Sequence, residues 1–410
     1  MAPSTDKLSS LPHSLLSTIV SLIPFKEVVR TSILSKSWID SFKSTSNIVF
    51  DEVYFVKDSQ TRRIRQAQRN VFLEFVMLWI SSHTEIVIDK FSLRISMPGK
   101  ANQVVKNCII FATKHGAKEL ELDFCDPKLD CYLTTNYINY VALFELPTHV
   151  YSHTCLESLK LFSCSFVEAE LFNFNVLKDI SLGWMEVKLT TIKTLLSNCK
   201  ALENLSLKRC WNSDDLDLGE ENLRLRKLVV ERCMFRSDSF SFIVNAPKLR
   251  NFYYSGLNNN RLVIDVRSLI MKEEVLEFCI EFEGHAVFLY KLVEDISGVN
   301  ILTVGNYFLQ DYDLPMNFNF ERFWTDHAMA YICMTYTLRE MEIMRFKGSM
   351  NEICVLTYFI TFGRVLRKMT INISKGDDAD QDGRFDSYRS DMTELLMIQR
   401  ASRDLEILIC

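Results

Sequence analysis

The sequence is poor in residues that break regular structure, with 12 glycines and 8 prolines among 410 residues. This scarcity excludes collagen-like, low-complexity and disordered chains. No run approaches the roughly 20 apolar residues that a membrane helix needs. Charge of one sign is not in large excess either, since 47 basic against 52 acidic residues leave a formal net charge of −5. We therefore expect neither a membrane partner nor recruitment of nucleic acid by bulk electrostatics.

Signatures of catalysis and of metal binding are also missing. The chain contains no Gly-x-Gly-x-x-Gly, no Walker loop and no Gly-x-Ser-x-Gly elbow. His149 and His153 stand four residues apart, a spacing that suits a zinc site on a helix. Pro147 disfavours a long helix there, and no glutamate accompanies the pair. We expect no catalytic residue, no cofactor and no metal ion.

One acidic segment, Asp378–Arg389, imitates a calcium loop. Carboxylates fill positions 1, 3, 5 and 9, and Gly383 fills position 6. Position 12 should be a bidentate glutamate but is a cation, Arg389. The preceding Met369–Ile373 favours a strand instead of the helix that enters such loops. A solvated acidic loop is therefore the favoured interpretation.

The 12 cysteines include no Cys-x-x-Cys pair, and the N-terminal Met1–Lys7 lacks the charged-then-apolar order of a secretory signal. Reduced thiols that pack as small hydrophobic groups explain this cysteine usage better than disulfides do. We expect a reducing compartment, the cytoplasm or the nucleus.

A repeat dominates the middle of the chain. The pattern L-x-x-L-x-L, with related apolar residues allowed, begins at Leu156, Leu177, Leu202, Leu225 and Leu249, so successive copies start 21, 25, 23 and 24 residues apart. This period is typical of leucine-rich repeats, in which each repeat contributes one short strand and the stacked strands enclose a continuous core. The sequence therefore predicts an α/β solenoid.

Weaker copies extend the repeat in both directions. Their apolar positions are Ala117/Leu120/Leu122, Val275/Phe278/Ile280, Val299/Leu302/Val304, Leu338/Met341/Ile343 and Leu366/Met369/Ile371. A second signal recurs three positions after the last apolar residue, at Cys125, Cys164, Cys210 and Cys233. Leucine-rich repeats place Asn or Cys in this slot, because a small side chain there meets the turning backbone inside the stack.

Residues 6–43 follow a helical pattern instead. Pro12 suits a helix start, Pro24 suits its end, and an apolar stripe lies between them at Leu15, Leu16, Ile19, Leu22 and Ile23. A second short helix should hold Val28 and Val29, and a third, from about Ser35, should bury Trp38, Ile39 and Phe42. Three short helices cannot enclose a full core alone. They either dock on a partner or cap the solenoid, and periodicity does not separate these two readings.

The stretch Asp6–Trp38 resembles an F-box of the plant type. The likeness lies in Leu8-Ser9, Leu11-Pro12, Leu15-Leu16, Ile19, Pro24, Val28-Val29-Arg30-Thr31-Ser32, Leu34-Ser35-Lys36 and Trp38. The resemblance implies an all-α three-helix domain that binds the Skp1 adaptor of an SCF ubiquitin ligase. It implies adaptor-binding residues among Leu8, Leu11, Pro12, Leu15, Leu16, Ile19, Pro24, Val28, Val29, Ser35 and Trp38. His13 and Ser37 depart from the family's usual acidic residue and arginine.

Two later segments resemble plant F-box proteins with leucine-rich repeats. Glu145–Cys164 resembles their first clear repeat, Leu338–Ile373 resembles their C-terminal FBD region, and Asp404–Cys410 keeps part of the FBD ending. The resemblance implies four regions: an F-box at 5–45, connecting helices and a first repeat at 46–115, leucine-rich repeats at 116–335, and an α+β FBD-like region at 336–410.

Two other features allow alternative interpretations. The basic cluster Arg62, Arg63, Arg65 and Arg69 on a predicted helix fits nucleic-acid contact or a solvated helix face, and the acidic total favours the latter. Aromatic residues in the inserts at 126–154 and 311–324 fit a recognition surface or packing on their own domain, and the latter is favoured. The run Gly256–Asn260 predicts a loop.

These inferences predict a non-enzymatic substrate-recognition subunit of an SCF-type ubiquitin ligase. Its F-box would bind a Skp1-like adaptor and, through it, a cullin, while its repeats would bind a protein substrate that the sequence does not identify. The alternative is a leucine-rich-repeat scaffold that no longer engages the ligase, for which His13 and Ser37 argue. A small-molecule receptor is a third class, although the sequence assembles no pocket for it.

Overall fold

The computed structural model describes residues 11–23, 25–31, 33, 35–43, 45–57, 61–83, 87–125, 143–151, 153–165, 174–211, 216–218, 224–234, 241–257, 263–267, 273–279, 299–305, 333–346, 348, 350–373 and 395–410. Several predicted features lie outside these residues: Leu8, Pro24, the acidic loop Asp378–Arg389, residues Asn258–Asn260 of the predicted loop Gly256–Asn260, the insert 311–324 and most of the insert 126–154. The chain forms two compact units, one made of Met1–Glu186 with Thr194–Leu202 and the other of Val187–Lys193 with Glu203–Cys410.

The first unit begins with three short helices, which we call the front helices: α1 (His13–Leu22), α2 (Phe25–Thr31) and α3 (Lys36–Lys43). They are followed by β1 (Asn47–Asp51), α4 (Arg62–Ser82), β2 (Lys90–Arg94), α5 (Asn102–Lys114), β3 (Glu119–Asp123), β4 (Phe144–Glu145), β5 (Ser158–Phe162), β6 (Cys164–Ser165) and β7 (Asp179–Gly183). The strands β1, β2, β3, β5 and β7 pair in that order, all parallel, and form the first-unit sheet. The short strands β4 and β6 pair separately.

Helix α6 (Leu189–Asn198) comes next in the chain. The later elements are β8 (Asn204–Lys208), β9 (Leu216–Leu218), β10 (Lys227–Glu231), β11 (Ser241–Asn245), β12 (Asn251–Leu257), β13 (Val263–Arg267), β14 (Glu273–Cys279), β15 (Ile301–Gly305), β16 (Glu340–Phe346), α7 (Met350–Phe362), β17 (Lys368–Ile373) and β18 (Glu406–Ile409). Within the second unit, β8, β10, β12 and β14 to β18 pair in parallel in that order. The strands β9, β11 and β13 form a second parallel sheet. Helices and parallel sheets agree with the predicted α/β class.

A shared hydrogen-bond pattern sets the start of the strands. The carbonyl oxygen of Asp89 accepts the N–H groups of both Lys118 (3.1 Å) and Glu119 (2.8 Å), the two residues at the start of the next repeat's strand. The same double acceptance recurs at the carbonyls of Ser46, Lys118, Glu157, Glu203, Arg226, Asn300 and Arg339. Because equivalent residues make the contact in each repeat, neighbouring strands begin at equivalent positions.

The ends of the strands explain the recurrent cysteines. Ser163, Trp184, Arg209 and Arg232 directly follow strands and have φ between 49° and 55°. This left-handed turn is costly for a side-chain-bearing residue, by about 1 kcal/mol or more, so the surrounding sheet must hold it. The next residue then lies inside, as Cys164, Cys210 and Cys233 do. The thiol of Cys164 donates to the Phe162 carbonyl at 3.5 Å, and that of Cys233 to the Leu207 carbonyl at 3.5 Å.

The described cysteines are thiols, as the sequence predicts. Burial raises the pKa of Cys108 and of Cys199 to about 12, and it does the same for Cys125. Burial also raises the pKa of Cys164 well above its usual value. Such thiols stay protonated at physiological pH and act as packing groups instead of nucleophiles.

Several strand and helix predictions are confirmed, and one register is wrong. The strands expected from the copies Ala117/Leu120/Leu122 and Val299/Leu302/Val304 are β3 and β15. Gly256 and Leu257, predicted to lie in a loop, are instead the last residues of β12, because both pair with β14. The predicted repeat Val275/Phe278/Ile280 is out of register by four residues, because Phe252 pairs with Glu274 and not with Phe278. In the observed register Glu274 stands where the pattern requires an apolar residue, so a search for apolar periodicity selects the wrong frame. The first strand, β1, was not predicted.

Candidate functional site

The front helices have a small apolar core of their own. Helix α1 starts directly after Pro12, and it stops where Ile23, the residue before Pro24 in the sequence, becomes extended with ψ 151°. The core consists of Leu16, Val20, Val28 and Trp38, with Leu11, Ile19, Ile23 and Phe42 packed around it. These residues come from all three helices, so the core fixes the helices relative to one another.

An aromatic cluster anchors the front helices to the rest of the first unit. The ring of Phe25 on α2 lies 5.5 Å from that of Phe50 on β1 and 6.0 Å from that of Trp79 on α4. Phe42 on α3 lies 6.3 Å from Trp79. Edge-to-face pairs of this kind contribute about 0.5–1.5 kcal/mol each beyond their buried area. Helix α2 therefore packs on β1, the first strand of the first-unit sheet, and α3 packs on α4.

His83 ends α4 within this cluster. Its ring stacks on Trp79 at 3.9 Å, and its Nδ1 lies 2.6 Å from the Trp79 carbonyl oxygen, so Nδ1–H is the donor. Among the described residues, the buried Nε2 atom has no hydrogen-bond partner. Burial lowers the pKa of His83 below its usual value, and the charge of Lys43 lowers it further, against the raising effect of the Trp79 carbonyl. The neutral form is therefore favoured.

The outer face of the front helices remains in water although it is apolar. Leu15 is 49% exposed, Leu22 79% and Ile33 85%. Leu15 and Leu22 stand seven residues apart on α1 and therefore share one face of the helix. Large exposed aliphatic side chains that are grouped on one module are typical of a surface that binds a partner.

The predicted adaptor-binding residues fall into three groups. Pro12 and Leu15 are exposed, and Leu11, Ile19, Val29 and Ser35 are half-buried. Leu16, Val28 and Trp38 are buried in the core of the front helices, where they cannot touch a partner directly. Leu8 and Pro24 lie outside the described residues.

Sequence reasoning missed Leu22, Ile33 and Ile39 as surface residues. Ile39 was predicted to be buried with Trp38 and Phe42, and this prediction is wrong, since 38% of Ile39 is exposed. Helix α3 turns Trp38 and Phe42 toward α1 and α4, and Ile39, one position beyond Trp38, points elsewhere. The seven-residue spacing of Leu15 and Leu22 was the signal that could have identified Leu22.

The basic cluster on α4 separates into one structural arginine and three surface arginines. Arg69 and Glu52 are both buried, with Nη1 3.4 Å from Oε1. Glu52 Oε2 also accepts the Ser96 N–H at 2.6 Å, and Arg69 donates to the carbonyls of Ser96 and Met97. Arg69 thus ties α4 to the turn after β2, while Arg62, Arg63 and Arg65 lie at the surface or half-buried.

No metal-binding cluster occurs among the residues that the structure describes. His153 Nε2 lies 2.9 Å from the Ala117 carbonyl oxygen, which occupies one of the two nitrogens a metal could use. Desolvation, and then the neighbouring His153, lower the pKa of His149. No described helix is both long and apolar enough to span a bilayer.

Three family models match the chain. The F-box domain matches residues 8–49, which contain the front helices and most of β1. The leucine-rich repeats of the FBD-associated F-box protein At5g56370 match residues 112–271, and FBD matches residues 332–371.

Curated relatives from Arabidopsis thaliana agree. The F-box/LRR-repeat protein At1g56400 is 32% identical over 325 residues, covering 74% of this chain and 64% of that protein. The F-box/FBD/LRR-repeat protein At1g13570 is 27% identical over 314 residues, covering 75% of this chain and 66% of that protein. The F-box protein At3g62230 is 24% identical over 427 residues, covering 89% and 91%.

The chain spans slightly less than two thirds of the length of At1g56400 and At1g13570. Along the chain, the F-box match comes first, the leucine-rich-repeat match second and the FBD match last. The chain therefore carries F-box, leucine-rich-repeat and FBD regions and is similar to the plant F-box/leucine-rich-repeat proteins that carry an FBD region.

Proposed function

We propose that the chain is the substrate-recognition subunit of an SCF-type ubiquitin ligase. Its three-helix F-box binds a Skp1-like adaptor, and through it a cullin, while its repeats and FBD region hold a protein substrate. The observation that carries the proposal is the two-sided character of the front helices. One side is locked to β1 and α4 by Phe25 and Phe42, and the other keeps Leu15, Leu22 and Ile33 in water.

The adaptor surface in this proposal combines predicted and newly found residues. Its centre is Pro12, Leu15, Leu22, Ile33 and Ile39, all of which are exposed. Leu11, Ile19, Val29 and Ser35 form its half-buried rim, and Leu16, Val28 and Trp38 hold the helices in shape from inside. Leu8 and Pro24 stay predicted members of the surface.

The mechanism is proximity. A subunit that holds a substrate beside the charged carrier of the ligase raises the effective concentration of the reacting groups, and it needs no catalytic side chain. The proposal keeps the regions 5–45, 46–115, 116–335 and 336–410, with the repeats arranged as a solenoid. It places the protein in the cytoplasm or nucleus, with neither nucleic acid nor membrane as a partner.

The test is the affinity of the full chain for a recombinant plant Skp1-like adaptor, measured by isothermal titration calorimetry. We expect 1:1 binding that Leu22→Glu weakens at least about a hundredfold, because the carboxylate would be buried in an apolar interface. Leu78→Glu is the matched control: Leu78 is similarly exposed but lies on α4, so its substitution should leave the affinity unchanged.

The same titration distinguishes a ligase subunit from the alternative, an interaction scaffold that no longer engages the ligase. His13 is exposed at the start of α1 and lies 3.3 Å from the Ser17 hydroxyl, while Ser37 is half-buried on α3. If the wild-type chain does not bind the adaptor and His13→Asp/Ser37→Arg does, the chain is an interaction scaffold that lost the ligase. If the wild type binds and Leu22→Glu binds equally well, the adaptor contacts another surface.

A further inference from the structure

Helix α4 presents an apolar stripe on its outer face. The members of this α4 stripe are Ile64, Val71 and Leu78, which are 43%, 60% and 70% exposed. Their spacing of seven residues is slightly less than two helical turns, so the three side chains line up over about 21 Å with a drift of about 20° per heptad. Single exposed aliphatic residues are ordinary, but three in heptad spacing on one helix are typical of a face that packs against another helix.

The opposite face of α4 is fixed in place. Its buried residues are Arg69, Phe72, Val76, Trp79 and Ile80. Trp79 belongs to the aromatic cluster, and Arg69 is held by Glu52 and by two backbone carbonyls. The α4 stripe therefore cannot turn inward without breaking a buried ion pair and a packed core. It is a preformed surface on a rigid helix.

The N-terminal end of α4 is strongly basic. This arginine end consists of Arg62, Arg63 and Arg65 in the first turn, which contains no acidic residue. Within the part of the chain that the structure describes, none of the three forms an ion pair. Cations at the N-terminus of a helix oppose the helix dipole, so the arrangement costs stability in the isolated protein. Local choices that oppose the fold are expected where a function requires them.

We propose that the outer face of α4 docks one helix of a partner protein. The partner helix carries its own aliphatic heptad stripe, which packs along the α4 stripe, and carboxylates at one end, which pair with the arginine end. The stripe supplies the apolar area, and the arginines determine the direction in which the partner helix lies. This surface lies outside residues 8–49, which the F-box family model matches, so it is distinct from the proposed adaptor surface.

A second copy of this chain fits the arginine end poorly. Two α4 helices packed antiparallel about Val71 would bring Arg63 of one copy level with Trp79 of the other, which is buried, so no carboxylate would face the arginine, and the exposed Glu74 would lie level with Gln68. Parallel packing would set arginine against arginine. Nucleic acid would use the arginines but would leave the α4 stripe without a role. A partner helix with acidic and apolar residues satisfies both features.

The test uses synthetic 21-residue helical peptides with leucine in heptad spacing. One peptide carries four glutamates at its N-terminal end, one carries them at its C-terminal end, and a third has the same composition with the heptads scrambled. Fluorescence anisotropy with the full chain should show 1:1 binding of at least one ordered peptide and at least about tenfold weaker binding of the scrambled one.

Variants then assign the binding to α4. Val71→Glu should weaken binding at least about tenfold, and Arg62→Glu/Arg63→Glu should weaken it by an amount that shrinks near 1 M salt, where the Debye length is about 3 Å. Met397→Glu is the control: Met397 is 81% exposed but lies in the second unit, so its substitution should have no effect. All four positions are exposed, so the melting temperatures should match that of the wild type.

Other outcomes overturn the proposal. It is wrong if neither ordered peptide binds, if the scrambled peptide binds equally well, or if Val71→Glu changes nothing. Sedimentation of the chain alone would reveal a dimer that Val71→Glu dissociates if the occupant is a second copy. A 20-nucleotide RNA that binds independently of Val71→Glu would assign the arginines to nucleic acid. The α4 variants lie outside the proposed adaptor surface and should leave adaptor affinity unchanged, so failure here leaves the proposed function untouched.

Discussion

The first-unit sheet and the helices beside it differ in how far their apolar side chains are buried and their charged side chains are paired. In the sheet, the alternate aliphatic residues are buried, and the residues before β2, β3, β5 and β7 alternate in charge, namely Asp89, Lys118, Glu157 and Lys178. Lys118 Nζ lies 2.6 Å from Asp89 Oδ1, and Lys178 Nζ lies 2.7 Å from Glu157 Oε2. These exposed pairs are individually weak, but they leave the edge of the sheet without a surplus of either charge.

Each of the helices α1 and α4 buries only one of its faces. The inner faces of α1 and α4 are as well buried as the sheet, while Leu22 and Val71 on their outer faces remain largely in water. Arg62 and Arg63 likewise have no acidic partner among the described residues. The sheet therefore buries its apolar side chains within the chain, whereas α1 and α4 leave large aliphatic side chains in water, where the two proposals place partner molecules.

We expect the largest loss of stability from a substitution of Arg69, the charged residue on the buried face of α4. Arg69→Met should lower the free energy of unfolding by about 3–5 kcal/mol, because Glu52 is then left buried and unpaired. Urea unfolding followed by tryptophan fluorescence measures this, since Trp79 lies in the adjacent cluster. Adding Glu52→Gln should recover part of the loss. Arg63→Met, on the outer face, should change stability by less than about 0.5 kcal/mol.

A smaller difference in stability is expected between alanine substitutions of one leucine in the sheet and one in the front helices. Leu159→Ala removes a fully buried side chain from β5 and should cost about 3 kcal/mol, from lost transfer energy and a residual cavity. Leu22→Ala removes an exposed one and should stay within about 0.5 kcal/mol of the wild type. The same urea titration serves both variants. Equal losses would mean that Leu22 is packed in solution, which would contradict the two-sided description of the front helices.

The smallest effect is a pH dependence at the junction of helices and sheet. Because burial holds the pKa of His83 below its usual value near 6.5, the unfolded chain takes up the proton first as pH falls. Neutral His83 therefore contributes fully to the stability of the folded state above about pH 6.5, and this contribution declines as the pH falls below that value. His83→Phe keeps the stack on Trp79 and removes the titration.

Melting temperatures between pH 7 and 5 should fall less steeply in His83→Phe than in the wild type. His115→Phe is a suitable comparison, because His115 is also a histidine that follows a helix C-terminus, bonded to the Phe111 carbonyl at 2.7 Å. If His83→Phe and the wild type lose stability in parallel, protonation of His83 does not govern this junction.

The repeat period could be predicted from the sequence because every repeat obeys the same geometric demand. Residues such as Leu159 and Leu205 recur at strand positions, and the cysteine slot repeats with them. The repeat pattern did not identify strands in which a polar residue occupies one of its apolar positions. Strand β1 offers only Ile48 and Phe50, with Thr45 where a leucine would begin the pattern, and in β14 a glutamate, Glu274, stands where the pattern requires an apolar residue.

The faces of the helices could be predicted less well. The apolar stripe of α1 was visible, but which of its residues face outward depends on where α3 and the aromatic cluster lie. Ile39 shows this, since its neighbour Trp38 takes the inner position. The arginines of α4 formed one cluster in the sequence, and only Glu52, 17 residues upstream of Arg69 and brought close by the fold, separates Arg69 from the others.

The central claim is that the front helices keep an outer face free for an adaptor while their inner face is fixed to β1 and α4. Hydrogen–deuterium exchange of the full chain, with and without a recombinant plant Skp1-like adaptor, tests it most directly. We predict new amide protection confined to His13–Lys43, with the strands of the first-unit sheet unchanged. Protection that appears on those strands instead, with none in α1 to α3, would contradict the account.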